Sequence, residues 1–363
     1  MDDHGSRRKD RTSSGHRHAT AEAPNRRKRL TLSHLAERLG VSTATISLAL
    51  RNSPLVAQAT RERVKREAEA AGYIYNRSAA ALRTARSNVV GVAVHDILNP
   101  YFAEIFGALE DTLGASDQIV FICNHRDDVE RQRTFVQALL QHRADGLVLC
   151  PSVDTSPAEI NRLVDAGLPV TLICRDVEGA RAPVVRGDDI AGALEAVRHL
   201  IAAGHRDIAF LGGRRGSSTG RDRHEGWVRA LREAGIDPDA QLYEPELMTR
   251  AHGFAAVDLL LAREPRPSAV MCFNDMVARG LIEALRRHGI EAGRDIAIIG
   301  YDDALDAATA TPSLSTVNNG AAEIGARAAA MILAQVAGAP ITADRVIIAP
   351  HLVERESTGG RRR

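Results

Sequence analysis

The chain has few cysteines and few aromatic residues, and it has no long apolar run. Its four cysteines, Cys123, Cys150, Cys174 and Cys272, each end a short apolar segment, and no pair has CxxC spacing. Zinc binding is therefore not expected, and the thiols are expected to be reduced and buried in a cytoplasmic protein. Because no run of 18 apolar residues exists, no membrane-spanning helix is expected. Residues 1–29 lack the apolar core of a secretory signal.

The net charge of +1 conceals an uneven distribution. Residues 1–88 hold 18 lysines and arginines against 8 aspartates and glutamates, whereas the remainder holds 29 against 38. A basic N-terminal part on an acidic body predicts a polyanionic partner for the first part only. Residues 1–29 are expected to form a disordered basic arm, either a solvated extension or a source of nonspecific phosphate attraction.

The segment from Leu30 to Tyr75 carries the pattern of a small helical DNA-binding domain. Thr31 is placed to cap a helix with apolar residues at i, i+3, i+4 and i+7, and Gly40 is placed to end it. Ser42 is placed to cap a second helix, Thr43 to Leu50. Helix, short glycine-containing turn and helix is the helix-turn-helix arrangement.

In that arrangement the first residues of the second helix face the bases in the major groove. The predicted base-reading residues are Thr43, Ala44, Ser47 and Leu48, and a basic third helix is expected from Thr60 to Gly72. Phosphate contacts are expected from Arg51, Arg61, Arg63, Lys65, Arg77 and Arg83. The alternative is an ordinary pair of packed helices, which many enzymes also contain.

From Val89 onward, apolar strands alternate with helical segments as far as Tyr301. This alternation predicts an α/β fold of parallel sheets covered by helices. Two such sets predict two lobes, with ligands bound beyond the carboxyl ends of the strands. The predicted domains are a basic arm, a DNA-binding domain, a hinge with linker, a two-lobed core and a disordered tail: residues 1–29, 30–75, 76–88, 89–358 and 359–363.

The chain resembles the LacI/GalR, or lactose-repressor, family of bacterial transcriptional regulators. The resemblance rests on TLSHLAERLGVSTATIS (31–47), TRERV (60–64) and GYIYNRSAAALR (72–83), and on the later NPYF, GYDD and TPSLSTV. It covers about residues 30–358 and implies an all-α helix-turn-helix headpiece on a core of two doubly wound parallel sheets, similar to periplasmic sugar-binding proteins. The implied lobe crossings are near Gly187, Ser315 and Ala343.

The resemblance also implies that residues 76–83 form a hinge helix that orders in a dimer on DNA, with Leu82 wedged into the minor groove. Members usually have arginine where this chain has Leu48, so Leu48 and Ala44 are expected to contact thymine methyl groups instead. The candidate DNA-contacting residues are Thr31, Ser42, Thr43, Ala44, Thr45, Ser47, Leu48, Arg51, Asn76, Arg77, Ala79 and Leu82.

Several core residues match positions at which the family binds its effector. These are Tyr101, Phe102, Arg223, Asn274, Asp275 and Asn319. Arginine and aspartate suit sugar hydroxyls because charged groups make the stronger hydrogen bonds. Arg175 follows a predicted strand and is a candidate contact for an anionic effector or, equally, a salt bridge at a lobe edge. Met248 stands where members often carry a stacking aromatic.

The sequence therefore predicts an effector-controlled transcriptional regulator, most readily a repressor, with double-stranded operator DNA and a sugar or sugar acid as partners. No cofactor or membrane partner is expected. A homodimer is favoured because no heptad helix follows Thr358. Two rival hypotheses are a hydrolase using Ser218 of GSSTG, a weak match to G-x-S-x-G, and a transport binding protein.

Overall fold

The computed structural model describes residues 31–50, 52–73, 86–341 and 343–359. The chain divides into two compact units, residues 1–80 and 81–363. Within these ranges no helix combines the length and the apolar character needed to span a bilayer.

The N-terminal unit contains three helices around a small apolar core. They are α1 (Leu32–Leu39), α2 (Thr43–Leu50) and α3 (Gln58–Ala70). Thr31 caps α1 as predicted, since its side chain accepts a hydrogen bond from the His34 backbone N–H. Gly40 adopts the left-handed conformation that ends α1, at φ 65°. The core is formed mainly by Leu35, Ala36, Ile46, Ala49, Val56, Val64 and Ala68.

The second unit begins with a six-stranded parallel sheet, which we call lobe 1 together with the helices packed on it. Its strands are β1 (Val89–Val94), β2 (Ile119–Asn124), β3 (Gly146–Leu149), β4 (Val170–Ile173), β5 (Val184–Gly187) and a late strand, Arg345–Ile348. Helices α4 (Pro100–Gly114), α5 (Val129–Gln141) and α6 (Pro157–Asp165) alternate with them. Apolar cores fill both faces of the sheet, which is the doubly wound arrangement.

Lobe 2 repeats this plan around a four-stranded parallel sheet. Its strands are β6 (Ile208–Leu211), β7 (Tyr243–Glu244), β8 (Ala269–Cys272) and β9 (Ala297–Ile299), in the order β7-β6-β8-β9. One face carries α7 (Asp189–Ala202) and α8 (Ser218–Glu233). The other carries α9 (Arg250–Ala255), α10 (Val257–Leu261) and α11 (Asp275–Arg287).

The chain passes between the lobes at three places. It crosses after Gly187, as predicted, and again through β10 (Thr316–Asn318), next to the predicted Ser315. The third crossing comes after Ile348 and not near Ala343, because β11 (Arg345–Ile348) still pairs with β5 at the edge of the lobe 1 sheet. Returning through β12 (His351–Val353), the chain pairs with β10 in a two-stranded antiparallel link.

Candidate functional site

The start of α2 forms the exposed polar surface of the N-terminal unit. The Ser42 hydroxyl accepts a hydrogen bond from the Thr45 backbone N–H at 3.1 Å and contacts the Thr45 hydroxyl at 2.9 Å. Thr43 and Ala44 are exposed beside it, while Ile46 and Ala49 are fully buried. Burial of one side of α2 therefore fixes Ser42, Thr43 and Ala44 on the side that faces outward.

The other two residues predicted to read bases lie deeper. Ser47 is only 3% exposed, and Leu48 packs partly buried against the core of this unit. Of the four residues predicted to read bases, Thr43 and Ala44 are thus exposed at the helix start, Leu48 is partly exposed and Ser47 is buried. Arg51, Asn76, Arg77, Ala79, Leu82 and Arg83 lie outside the described residues.

Two of the basic residues of α3 donate hydrogen bonds to the backbone of this unit. The Arg61 Nη1 donates to the backbone oxygens of Ser53 at 3.1 Å and Val56 at 2.6 Å, which secures the loop between α2 and α3. Arg63 donates to the Leu39 oxygen at the end of α1, at 2.8 Å. Lys65 and Arg66 are exposed and remain available to meet a polyanion.

In the second unit, the carboxyl ends of strands from both lobes meet around a small cavity, here called the inner cavity. It has a volume of about 30 Å³, which is room for roughly two water molecules. Its lining combines aromatic, basic, acidic and amide side chains: His95, Asn99, Tyr101, Phe102, Cys174, Arg175, Gly187, Asp189, Thr219, Arg223, Phe273, Asn274, Asp302 and Asn319.

Arg223 is the centre of a buried charged network in this cavity. Its Nε donates to Asp189 Oδ1 at 2.8 Å, its Nη2 lies 3.5 Å from Asp302 Oδ1, and its Nη1 donates to the Phe273 backbone oxygen. The guanidinium also lies over the ring of Tyr301, 3.6 Å from its centroid. Burial raises the pKa of Asp302 to about 6, although Arg223 opposes this shift.

Several contacts among the described residues connect the lobes directly across the cleft, including the ion pair of Arg186 in β5 with Asp222 in α8 at 2.5 Å. Asn99 Nδ2 of lobe 1 donates to Asp302 Oδ2 of lobe 2 at 3.1 Å. The Arg214 Nε lies 3.4 Å from Asp127 Oδ2, and the Asp176 backbone N–H donates to the Ser218 hydroxyl at 3.1 Å. These contacts hold the lobes in a closed arrangement around the inner cavity.

A wider opening, the outer cleft, lies next to the inner cavity and shares His95, Asn99 and Asn274 with it. Its volume of about 300 Å³ is ten times larger, and it is lined by Met248, Arg214 and other residues of both lobes. This volume falls in the range of small-molecule sites.

Arg175 lines the inner cavity but is committed to an internal ion pair. Its Nη1 and Nη2 donate to the two carboxylate oxygens of Asp127 at 2.6 and 3.1 Å, and its Nη1 also donates to the Pro151 backbone oxygen at 3.1 Å. Burial raises the pKa of Asp127, but Arg175 outweighs burial and holds it at about 2. The Arg175 charge is therefore neutralised within lobe 1.

Comparison with known proteins gives the family. Residues 31–76 match the model of the bacterial regulatory proteins of the lacI family, and residues 197–358 match a periplasmic binding protein-like domain. The HTH-type transcriptional repressor PurR of Erwinia tasmaniensis is 31% identical over 336 residues, covering 90% of this chain and 96% of PurR. The chain belongs to the lacI family.

Other relatives agree with this assignment. The HTH-type transcriptional regulator DegA of Bacillus subtilis is 29% identical over 90% of this chain and 98% of DegA. The lac repressor dimer bound to operator and the anti-inducer ONPF matches 92% of this chain and all of that chain, with a TM-score of 0.79 and 27% identity. The transcriptional regulator CelR in complex with cellobiose covers 91% and 100%, with a TM-score of 0.69 and 28% identity.

As a lacI-family member the chain is a DNA-binding transcriptional regulator and not an enzyme, which removes the hydrolase hypothesis. The structure accounts for the GSSTG segment in another way. Ser217 caps α8 by accepting from the Gly220 backbone N–H at 3.0 Å, and the Ser218 hydroxyl holds the Asp176 backbone N–H.

Six of the seven predicted effector residues of this lacI-family regulator line the inner cavity: Tyr101, Phe102, Arg175, Arg223, Asn274 and Asn319. Asp275 lies behind it. The Asp275 carboxylate is fully buried and accepts hydrogen bonds from the Thr316 hydroxyl at 2.7 Å and the Ala304 backbone N–H at 2.8 Å. Asp275 thus stabilises the loop that follows β9 and does not line the inner cavity.

Two acidic lining residues were missed by sequence reasoning, Asp189 and Asp302. Asp302 belongs to the GYDD segment that carried part of the resemblance, so a signal for it was present. Asp189 opens α7 directly after the first lobe crossing, and only its ion pairs with Arg186 at 2.9 Å and Arg223 at 2.8 Å identify it.

Proposed function

We propose that this regulator binds operator DNA as a homodimer and represses transcription in the bacterial cytoplasm, under control of a small polar effector bound between its lobes. The observation that carries the proposal is the set of polar side chains from both lobes that converge on one cavity. A ligand that bridges the lobes changes the relative stability of the open and closed arrangements. Because the two arrangements differ in operator affinity, binding of the ligand changes that affinity.

The charges around the cavity favour a neutral polyhydroxylated effector over a sugar acid. Arg175 is paired with Asp127, and Arg223 is shared between Asp189 and Asp302. An anionic effector would have to compete with these carboxylates for buried guanidinium groups. A sugar hydroxyl can instead donate to a carboxylate and accept from an arginine without adding charge.

One unpaired group supports hydrogen bonding to such a ligand. Asn319 is 2% exposed and lines the inner cavity, and its Oδ1 has no hydrogen-bond partner among the described residues. Leaving a buried polar atom unpaired costs about 1–3 kcal/mol. A hydroxyl donor placed in the cavity would remove that penalty.

The size of the site indicates that the lobes open to admit the effector. A monosaccharide is several times larger than the inner cavity of about 30 Å³. The outer cleft of about 300 Å³ can receive one, and it shares Asn99, which bonds to Asp302 of the other lobe, with the inner cavity. CelR is solved with cellobiose, and a structurally similar LacI-family regulator of Enterococcus faecium with ribose.

The homodimer is supported by an exposed apolar edge of lobe 1. β2 is an edge strand, and its side chains Ile119, Phe121 and Ile122 are 40%, 43% and 46% exposed. Apolar surface of this kind on an unprotected strand is typical of an interface. The lac repressor neighbour is a dimer on its operator.

The test of the proposed function is selection of operators from random duplex DNA with the full-length protein at a stated salt concentration. Enrichment of a pseudopalindrome is expected, because a symmetric dimer reads two related half-sites. The selection is repeated with pooled sugars, sugar acids and nucleobases to detect a corepressor. Failure to enrich any sequence under both conditions would contradict the regulator hypothesis.

A carboxylate at the start of α2 should weaken operator binding. We expect Thr43→Glu to reduce affinity for the selected operator by more than about tenfold, since it replaces an exposed candidate contact with a charge that repels DNA. The fold should survive, because an acidic residue at a helix N-terminus is favourable. Fluorescence anisotropy at fixed salt measures the change. Ala70→Glu, the same charge change at the exposed end of α3, is the control, and equal losses in both variants would contradict the assignment.

Asn319 and its neighbour Asn318 provide a matched pair for the effector site. We expect Asn319→Ala to weaken binding of the sugar found by a thermal-shift screen roughly three- to tenfold, the value of one hydrogen bond. Asn318 instead bonds to Asp303 Oδ2 at 3.0 Å and to the Gly320 N–H at 2.9 Å. Asn318→Ala should therefore lower the free energy of unfolding but leave the sugar affinity within about twofold of the wild-type value, as measured by titration calorimetry. A larger loss of sugar affinity in Asn318→Ala than in Asn319→Ala would show that the effector binds elsewhere.

A further inference from the structure

Two cysteines meet beside the inner cavity. Cys150 directly follows β3 and Cys174 directly follows β4, and these strands are neighbours. Leu149 is in register with Leu172, so Cys174 lies one residue beyond the position opposite Cys150. Both cysteines are buried in the same apolar core. Adjacent strands are about 4.8 Å apart and rise about 3.3 Å per residue, which puts the two Cα atoms about 6 Å apart, within the range that disulfides span.

The pair belongs to a continuous series of polar contacts. The Tyr101 hydroxyl lies 3.7 Å from Cys174 Sγ, and Cys150 Sγ lies 3.6 Å from His95 Nδ1. His95, Tyr101 and Cys174 all line the inner cavity, so a small molecule that enters the cavity can reach this series. Burial disfavours the Cys150 thiolate, but its contacts with Cys174, His95 and Arg175 outweigh burial and hold the pKa of that thiol below its usual value.

The backbone at Cys174 is also unusual. Its φ of 61° lies in the left-handed region, which non-glycine residues rarely adopt. Cys174 directly follows β4 at this turn, and its side chain lines the inner cavity. Strained backbone of this kind tends to cluster at sites with a function.

We propose that Cys150 and Cys174 form an oxidisable dithiol that opens on the inner cavity and is converted by hydrogen peroxide into an intramolecular disulfide. Nothing in the DNA-binding function requires such a site. The other two cysteines do not line the inner cavity. Cys272 is fully buried in β8, and the half-buried Cys123 lies in the edge strand β2.

The chemistry balances in two steps. The Cys150 sulfur, as the thiolate that its surroundings favour, attacks one peroxide oxygen and breaks the O–O bond. The other peroxide oxygen takes the proton released by Cys150 and leaves as water, which gives a sulfenic acid at Cys150. The Cys174 sulfur then attacks the sulfenic sulfur and forms the S–S bond, and the Cys174 proton leaves with the expelled hydroxide as the second water. His95 Nδ1 is close enough to Cys150 Sγ to accept its proton and to pass it to the departing peroxide oxygen. Two thiols lose two electrons, and one peroxide becomes two waters.

Formation of the bond changes the cavity itself. The two sulfurs move to about 2.05 Å from each other, and Cys174 loses its thiol contact with the Tyr101 hydroxyl. Arg175 follows Cys174 in the chain and lines the same cavity. The oxidised protein therefore presents a different surface to any molecule that enters between the lobes.

The test is peptide mapping of the full-length protein after exposure to hydrogen peroxide. The oxidant is removed with catalase, the protein is denatured and alkylated with iodoacetamide, and it is digested without reduction. We expect a peptide pair linked through Cys150 and Cys174 with a loss of 2 Da, while Cys123 and Cys272 are alkylated. The yield should drop more than about tenfold when urea is present during oxidation, because the pairing depends on the fold.

Three single variants complete the experiment. In Cys174→Ser the linked peptide should disappear and a sulfenic acid at Cys150 should be trapped by dimedone, whereas in Cys150→Ser the linked peptide should disappear and alkylatable Cys174 should remain. Cys123→Ser is the control and should form the Cys150–Cys174 link in wild-type yield. Oxidation that falls mainly on Cys123 or Cys272, or absence of the link in folded protein, would overturn the proposal. Operator selection is carried out with reduced protein, so its result is independent of this one.

Discussion

Replacement of Arg223 by alanine is expected to destabilise the core by about 3–5 kcal/mol, because it removes one partner of a buried ion-pair network. Asp189 is 2% exposed and Asp302 4%, and both would lose their contact with the guanidinium. The Phe273 backbone oxygen and the ring of Tyr301 would also lose a partner. Chemical denaturation should show this loss as a lower denaturant midpoint.

The single tryptophan of the chain makes the measurement direct. Trp227 is 1% exposed and lies one turn after Arg223 on α8, so its fluorescence reports unfolding of the same lobe. Arg229 is the matched control on the same helix, since its side chain is 53% exposed and its ion pair within the described part of the chain is with Glu225, one turn away. We expect Arg229→Ala to change stability by no more than about 0.5 kcal/mol. Similar losses in the two variants would contradict the buried network.

Most strands of the core could be predicted because parallel strands that are buried on both faces are continuous apolar runs. The predicted start of the strand–helix alternation, Val89, is the first residue of β1. The long helix α12 (Ala321–Val336) was missed. Its sequence, AAEIGARAAAMILAQV, is so rich in alanine that the polar and apolar faces are hard to distinguish. Which side of α12 is buried is determined by its packing against α4 in lobe 1, and the sequence pattern does not show this.

The position of the site could be predicted because the end of an apolar run marks the carboxyl end of a strand. Which side chains line the site depends on tertiary contacts that the sequence pattern does not show. Asn274 and Asp275 both follow β8, and the sequence gives no reason to separate them. The structure directs Asn274 to the cavity lining and Asp275 to Thr316 of the second crossing. On α2, helical spacing could not show that Ser47 is buried as well as Ile46, because packing of α1 and α3 on this helix decides it.

Asp275 is expected to make the stability of the core depend strongly on pH. Burial, together with the charges of the nearby Asp302 and Asp303, raises the pKa of its carboxyl to about 8, although the hydrogen bonds from Thr316 and Ala304 oppose this shift. Between about pH 4 and pH 8 the folded protein keeps a proton that the unfolded chain has released. Stability therefore falls as the pH rises through this window and levels off above it. Asp302, whose pKa is raised to about 6, acts in the same direction over the lower half of the window.

Asp275→Asn should remove most of this dependence. The amide oxygen can accept from the Ala304 N–H and the amide nitrogen can donate to the Thr316 hydroxyl, which replaces both hydrogen bonds of the carboxyl group. Since one pKa unit corresponds to about 1.4 kcal/mol, we expect the variant to gain on the order of a few kcal/mol over wild type at pH 8 and little at pH 4. Trp227 fluorescence in urea at a series of pH values measures both curves. Asp258→Asn, an exposed change on α10, should leave the curve unchanged. A wild-type pH slope in Asp275→Asn would show that this carboxyl is ionised in the folded protein across the window.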